Sequence, residues 1–441
     1  MSSARGAREA FLEAATWHGN LDAAEQLLAE HPDVASSDLA TAAVAGDAPR
    51  VAHFVDRDPA SVAARCEPYG ATALVYLCLS RYLRLDPARS AGFLEAARRL
   101  LDAGADPNAG FWSKGEVPEF ETALYGAAGV AHHAELTRLL VERGADPNDE
   151  EVAYHSPEGY DLGALQALVE TGRITPVNLG VMLCRKHDWH DREGVSYLLR
   201  RGADPNLVGR WGRSALHQAI LRNNSLEIIE LLLDHGAVPF VKSRGDSAIV
   251  QAAWAGRGDL LDLFERRGFP TALEGVDRLV ADCARGAGDA VRALGKSQPG
   301  LVRDVIVKGG QLLAEFAGVG NAEGLRCLIE LGVSVDALFE EGDGYWDLAP
   351  RSTALHVAAW RARPAAVKLL IDRGAKVDAT DGKGRRPIEL AVKACVNSYW
   401  KDRRTPECVD LLLKAGASAR GVRLPTGYNE ADALLRRHGG A

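Results

Sequence analysis

Leu100-Leu101-Asp102-Ala103-Gly104-Ala105-Asp106-Pro107-Asn108 joins an apolar helix end to a glycine and an Asp-Pro-Asn turn. The phrase returns as Leu139-Leu140-Val141-Glu142-Arg143-Gly144-Ala145-Asp146-Pro147-Asn148 and as Leu198-Leu199-Arg200-Arg201-Gly202-Ala203-Asp204-Pro205-Asn206. Its glycine permits the left-handed backbone that ends a helix, and Asp-Pro-Asn opens an extended turn. Weaker copies anchor at Gly236, Gly268, Gly332, Gly374 and Gly416, so that successive anchors lie 40, 58, 34, 32, 64, 42 and 42 residues apart. The two long gaps are each divided, the first by Gly172 and the second by Pro299 in a diverged copy after Ala293-Leu294. A unit of roughly 30 to 40 residues therefore repeats along the chain.

A second phrase keeps the same period: Thr122-Ala123-Leu124-Tyr125, Ser214-Ala215-Leu216-His217, Ser247-Ala248-Ile249-Val250, Thr353-Ala354-Leu355-His356 and Arg386-Pro387-Ile388-Glu389. Thr or Ser before Ala-Leu is a helix N-cap, because its hydroxyl accepts an orphan N–H of the first turn. The first helix has a narrow face of small residues (Leu355, Ala358, Ala359), and the second carries a broad apolar stripe (Val367, Leu369, Leu370, Ile371). One unit cannot bury that stripe alone, so neighbours must stack. The two phrases resemble the ankyrin-repeat family over nearly the whole length. The resemblance implies an all-α solenoid of helix–turn–helix units with finger loops, a single elongated curved domain of about 12 repeats.

On this reading residues 1–441 form one continuous array. Residues 1–70 are two diverged capping repeats, in which His31-Pro32 and Asp58-Pro59 replace the Gly-Ala anchor. Residues 71–420 are the central repeats, and 421–441 are a cap whose helix begins with Asn429 as N-cap and stops at Gly439. Insertions are expected at 78–92, 109–121, 149–161, 337–352 and 394–407, and long loops in repeat arrays often serve binding.

The formal net charge of −8 argues against a surface built throughout to bind nucleic acid. The seven cysteines are scattered and none forms a Cys-x-x-Cys pair, which fits reduced thiols. No apolar run reaches about 18 residues and the N-terminus lacks a signal-type core. A cytoplasmic monomer, away from membranes, is expected.

In the family the two positions after the small pair of the first helix, and the finger around the next glycine, face a concave groove. Carried over residue by residue, this register selects Trp17 with His18, Trp254, and Trp360 with Arg361 on the helices. On the fingers it selects Arg210, Trp211, Arg213, Arg244, Lys383 and Arg385. Tyr345 and Trp346 of the 337–352 insertion complete the set. Trp and Arg dominate interface hot spots because they desolvate a large area while keeping a polar handle. The groove is accordingly expected to be aromatic and basic, and to suit an acidic segment of a partner protein. The same features suit a small anionic ligand or an enzymatic pocket, formed where the insertions close over the groove. On the protein-binding reading, Trp254 and Trp360 are binding residues with little part in stability. No groove residue is assigned in 162–199 or 271–332, where the helix-start phrase is unclear.

No catalytic constellation, cofactor motif or metal set emerges. Cys184, His187, Asp188 and Asp191 share one helical face, with His190 nearby, but this is the end of a repeat's first helix and its turn, where His and Asp are ordinary. His132-His133 occupies the equivalent turn of an earlier unit. His217 and His356 fall in the Leu-His of the repeat phrase, where the resemblance implies hydrogen bonds between units. Lys308-Gly309-Gly310 lacks the spacing of a phosphate loop.

Overall fold

The computed structural model describes residues 2–209, 211–396 and 403–439. They fall into two compact units, Met1–Ala237 and Val238–Ala441, each a stack of helix pairs.

The first unit has seven pairs: Ser2–Ala15 with Leu21–Glu30, Leu39–Ala45 with Ala48–Arg57, Ala73–Cys78 with Ser90–Asp102, Ala123–Tyr125 with Ala134–Glu142, Glu150–His155 with Gly163–Val169, Pro176–Asp188 with Arg192–Arg200, and Ala215–Leu221 with Leu226–Asp234. The helix begun at Ala123 continues as a wide π-turn, Gly126–Val130. The second unit has five: Ala248–Trp254 with Gly258–Arg266, Gly275–Ala284 with Gly288–Ser297, Gly309–Val319 with Ala322–Glu330, Ala354–Trp360 with Pro364–Asp372, and Pro387–Val396 with Glu407–Lys414, followed by a closing helix Asn429–Arg437. An extra helix, Pro299–Val307, stands where the diverged anchor at Pro299 was read.

The punctuation follows the sequence. Anchors Gly104, Gly144, Gly172, Gly202, Gly236, Gly268, Gly332, Gly374 and Gly416 all have positive φ, between 67° and 105°, a region in which a side chain would be strained. Thr122 and Ser247 cap their helices through the N–H groups of Tyr125 and Val250. At the first two anchors, short 3₁₀ turns Pro32–Ser36 and Pro59–Ala63 do the work of glycine. The small first-helix residues let neighbouring pairs approach, and Ala42, Ala43, Ala252, Ala253, Ala358 and Ala359 are wholly buried.

The last residue of the anchor phrase clasps the next repeat. Asn108 donates through Nδ2 to the Gly144 carbonyl at 3.2 Å and accepts from Asp146 N–H at 2.8 Å. Asn148 does the same to Arg173 and Thr175, at 3.0 and 2.8 Å. Asn206 reaches the Gly236 carbonyl at 2.8 Å, while Asp336 and Asp378 accept from the N–H groups of Lys376 and Ser418.

Three fingers close as short antiparallel ladders: Gly110–Trp112 with Phe120–Thr122, Lys242–Ser243 with Asp246–Ser247, and Leu338–Phe339 with Ser352–Thr353. Some expected boundaries move. The stretch 149–161 is no insertion, because Asp149 caps a helix through Glu151 N–H and Glu150–His155 is the first helix of a pair. The 78–92 insertion folds into a helix, Arg81–Leu85, and a 3₁₀ turn, Pro87–Arg89. In the closing helix Asn429 is the first helical residue and Tyr428 the N-cap; Asp432 reaches back to accept from Thr426 N–H at 2.8 Å. Part of the 394–407 insertion, residues 397–402, lies outside the described residues.

Candidate functional site

In the second unit the finger sequence 337–353 folds onto the end of helix Ala354–Trp360. Asp343 Oδ1 accepts from the N–H groups of Tyr345 and Trp346, at 2.9 and 3.3 Å, turning the chain so that Trp346 points inward. Trp346 is buried, with the Arg361 guanidinium 3.9 Å from its ring centre and Tyr345 edge-on at 4.6 Å. Trp360 is 0% exposed. Its Nε1 donates to the Trp346 carbonyl at 2.5 Å, and Lys393 Nζ lies 4.9 Å from its ring centre. Trp360 and Trp346 are therefore core residues, not the open groove side chains expected from the register, because the insertion fills the groove beside them. Trp254 is half-buried, with Nε1 donating to Asp277 at 2.7 Å.

The finger cations are also engaged. Asp347 accepts from Lys383 at 3.0 Å, from Arg385 at 3.1 Å and from Lys393 at 2.5 Å. The Lys393 bond, then Lys383 and the charge of Arg385, hold the Asp347 carboxyl far below the usual carboxylate range. Arg385 also bonds Asp381 at 2.8 Å. Arg244 is exposed, at positive φ (54°), in the turn of its finger.

Four guanidinium groups stand close enough to act on one another's charge: Arg257, Arg361, Arg363 and Arg403. Burial, then the charge of Arg403, pushes Arg361 down to about 9, and burial with Arg403, Arg361 and Arg257 does the same to Arg363. Arg257 is buried and forks onto Asp259 at 2.8 Å through Nε and Nη2. Glu315, on helix Gly309–Val319, is exposed, with Arg361 and Asp343 as its charged neighbours. Desolvation pushes it up to about 7 in spite of Arg361. Glu315 lies in 271–332 and Arg257 and Arg363 just past the positions read, so sequence reasoning missed all three.

In the first unit Trp17 does not share the position of Trp254 and Trp360. Those two end their helices, whereas Trp17 sits in the left-handed turn beyond its helix, at φ 53°, where the other repeats have Gly256 and Ala362. The half-buried indole meets Phe111 and Tyr69 edge-on at 5.6 and 6.3 Å and donates to Tyr125 Oη at 3.4 Å. His18 lies 4.3 Å from Trp17, and burial with the charges of Arg81 and His155 lowers its pKa. Trp211 is half-buried, 5.6 Å from Tyr154; Arg213 is half-buried; Arg210 lies outside the described residues.

An unforeseen charge cluster adjoins them. His155 contacts Glu151 at 3.3 Å and Glu158 at 3.0 Å. Burial opposes its charge, but these carboxylates raise it to about 9. Arg185 donates to Glu158 at 2.8 Å and lies 4.0 Å over the Tyr154 ring. Glu121, 2% exposed on the finger, is pushed up to about 7 by burial and then by Glu151, Glu119 and Asp149. Its Oε2 has no hydrogen-bond partner among the described residues.

The Cys184 region is structural. Burial raises the Cys184 thiol to about 12 and lowers His187 to about 4, and the His187 side chain meets Asn224 Oδ1 at 3.0 Å. Asp188 bonds Gln218 and Arg222, and Asp191 bonds Lys186 at 2.7 Å. Among the described residues no group of three His, Cys, Asp or Glu is placed to hold a metal ion. His133 caps helix Ala134–Glu142 through Leu136 N–H. His356 joins two repeats, accepting from Thr353 N–H at 3.1 Å and meeting the Arg385 carbonyl at 3.0 Å through Nε2.

Stacked helix pairs, clasped through a recurring anchor and bearing fingers at one end, define a repeat protein. Family models described as "Ankyrin repeats (3 copies)" and "Ankyrin repeat" match residues 181–268 and 351–382. The chain belongs to the ankyrin-repeat family. It is similar to a B-cell lymphoma 3 protein homolog of Mus musculus, 34% identical over 189 residues, which are 37% of this chain and 42% of that protein. It is also similar to an E3 ubiquitin-protein ligase KEG of Arabidopsis thaliana, 24% identical over 216 residues, 44% of this chain and 12% of the other. The chain thus spans less than half the length of these relatives. The human ASB11 ankyrin repeat domain aligns with 59% of this chain and 98% of its own, at 19% identity and a TM-score of 0.26. No helix among the described residues is long and apolar enough to cross a membrane.

Proposed function

We propose that the chain is a protein-interaction scaffold whose second unit takes an acidic segment of a partner protein. Ankyrin repeats generally mediate protein–protein interaction, and the finer reading rests on the chemistry at the finger side of this unit. The observation that carries it is the crowding of Arg257, Arg361, Arg363 and Arg403, which with burial depresses the Arg361 and Arg363 guanidinium groups. A partner carboxylate among them would relieve that repulsion and could be forked by a guanidinium, in a poorly hydrated place where charge pairing is strong. Tyr345 and Trp254 supply half-buried aromatic edges beside it. Trp346 and Trp360 support the site from within. In the first unit Trp17, His18, Trp211 and Arg213 would form a secondary contact, while Lys383, Arg385 and Arg244 would flank the main one.

The test is a titration of fluorescein-labelled deca-glutamate against the full chain by polarisation. Binding that weakens with salt is expected, and Glu315→Gln should tighten it severalfold by removing a competing internal carboxylate. Unchanged affinity in that variant would sink the reading. Complete competition by inorganic phosphate at equal charge would instead favour a small anionic ligand.

A further inference from the structure

The first unit carries a surface of opposite character. The finger Gly110–Trp112/Phe120–Thr122 pairs Trp112 directly with Phe120 across its strands, ring centres 5.2 Å apart. Neither ring is tucked into the stack: Trp112 is 65% exposed and Phe120 37%, and Val117 at the finger tip is 78% exposed. Isolated exposed apolar residues are normal, but an aromatic pair held on a rigid two-stranded finger presents a preformed contact face. The finger also forms one wall of a cleft of about 590 Å³, whose other wall is the turn 146–149 and the start of helix Glu150–His155.

The charge of that cleft has one sign. Glu119, Asp146, Asp149, Glu150 and Glu151 line it, and among the described residues no Lys, Arg or His does. Local structure explains part of this acidity. Asp149 caps the helix and accepts from Thr122 Oγ1 at 2.6 Å, Asp146 holds Asn148 N–H at 3.0 Å, and Glu151 contacts His155. Glu150 stands in the first turn of its helix, where a carboxylate suits the exposed N–H groups, while Glu119 serves none of these tasks. The repulsion already reaches the buried neighbour, because Glu151, Glu119 and Asp149 all raise Glu121. The cations nearby do not line the cleft: His155 lies between Glu151 and Glu158, Arg65 donates to the Gly110 carbonyl at 2.8 Å, and Lys114 stands on the finger between its strands.

From this juxtaposition of an exposed aromatic pair with an all-acidic cleft, we infer that the 110–122 finger and the adjoining helix start form a docking surface for an extended basic segment of a partner protein. An arginine or lysine of that segment stacks on the open face of Trp112, as cations do on an indole, while its neighbours lie among the carboxylates of Glu119 and Glu150. Charge complementarity selects this occupant. An acidic peptide or a nucleic acid backbone would meet like charge, and a second copy of this finger would bring the same acidic wall.

The experiment titrates the full chain with fluorescein-labelled deca-arginine by polarisation, with free spermine as competitor. Trp112→Ala with Phe120→Ala should weaken binding at least tenfold while the chain stays folded by circular dichroism, since Trp112 is 65% exposed and Phe120 37%. Glu119→Gln with Glu150→Gln should also weaken it and flatten its salt dependence. Peptide binding that survives both double variants would overturn the assignment, and so would spermine binding as tightly as the peptide, since charge alone would then suffice. Deca-glutamate binding in the second unit should be untouched by all four substitutions.

Discussion

Replacing Trp360 by alanine separates a core residue from a binding residue. The side chain is wholly buried, its Nε1 donates to the Trp346 carbonyl at 2.5 Å, and it packs under the 337–353 finger. An aromatic side chain removes roughly 150 to 250 Å² from water. At about 25 cal/mol per Å², that is an upper figure of about 4 to 6 kcal/mol. Core Trp and Phe truncations cost about 3 to 5 kcal/mol, and that is the loss expected here. Trp360→Phe keeps most of the apolar area but leaves the Trp346 carbonyl without its donor, for about 1 to 3 kcal/mol. The assay is urea denaturation at 25 °C followed by circular dichroism and fluorescence together, because two compact units need not unfold in one transition. A loss below about 1 kcal/mol for the alanine variant would refute the argument. It would mean that the ring leaves its site in solution, as a partner-facing tryptophan would.

Other outcomes follow from the same geometry. Glu121 has a folded pKa of about 7 against an ordinary 4.5, so its contribution is fully present below about pH 4.5 and is lost as pH rises through 7. Glu121→Gln should therefore stabilise the protein at pH 8 by up to about 3 kcal/mol and have little effect at pH 4, measured as urea midpoints. His155, raised to about 9, is linked to pH with the same sign, adding stability that is fully present below its ordinary 6.5 and disappears as pH passes through 9. His155→Gln should destabilise at pH 6 and be nearly neutral at pH 10, and a ring-proton NMR titration should give the raised midpoint directly. Leu370→Ala, at a wholly buried position in a second helix, should cost about 2 to 5 kcal/mol by the same denaturation assay. Gly310→Ala would place a methyl 1.9 Å from the Leu338 carbonyl oxygen. It should cost about 1 to 3 kcal/mol, with the loss read from the second unit's transition.

The repeat was legible because its punctuation is local. A glycine that must adopt positive φ, a hydroxyl that must cap, and an apolar stripe that must be covered announce themselves within a few residues, and every anchor glycine read from the chain has the required backbone. Even the diverged stops at Pro32, Pro59 and Pro299 begin helical turns. The candidate site was only partly legible, because it depends on where fingers and helix ends meet across repeats. Nothing near Trp360 announces that a finger some 14 residues earlier turns Trp346 in to cover it. Asp347, which gathers Lys383, Arg385 and Lys393 from 36 to 46 residues away, likewise turned an expected basic patch into an internal network. Trp17 was misaligned because the sequence offers Ala-Thr-Trp where other repeats offer Ala-Ala-Trp, and a two-residue slip decides whether a side chain ends the helix or enters the turn.

The side-chain clasps from one anchor phrase to the next also set how the protein bears a pulling force. Asn108, Asn148 and Asn206 in the first unit, and Asp336 and Asp378 in the second, lie in series along the chain, so a load reaches each in turn and no two share it. Phe240 takes in its phrase the place that Asn108, Asn148, Asn206, Asp336 and Asp378 take in theirs, and meets Phe269 edge-on at 6.0 Å, an apolar link that gives way gradually where a polar clasp snaps. Stretched by its ends, the protein should yield repeat by repeat in a sawtooth, each tooth releasing about 100 to 140 Å of chain, with the softest tooth at the repeat that begins after Phe240.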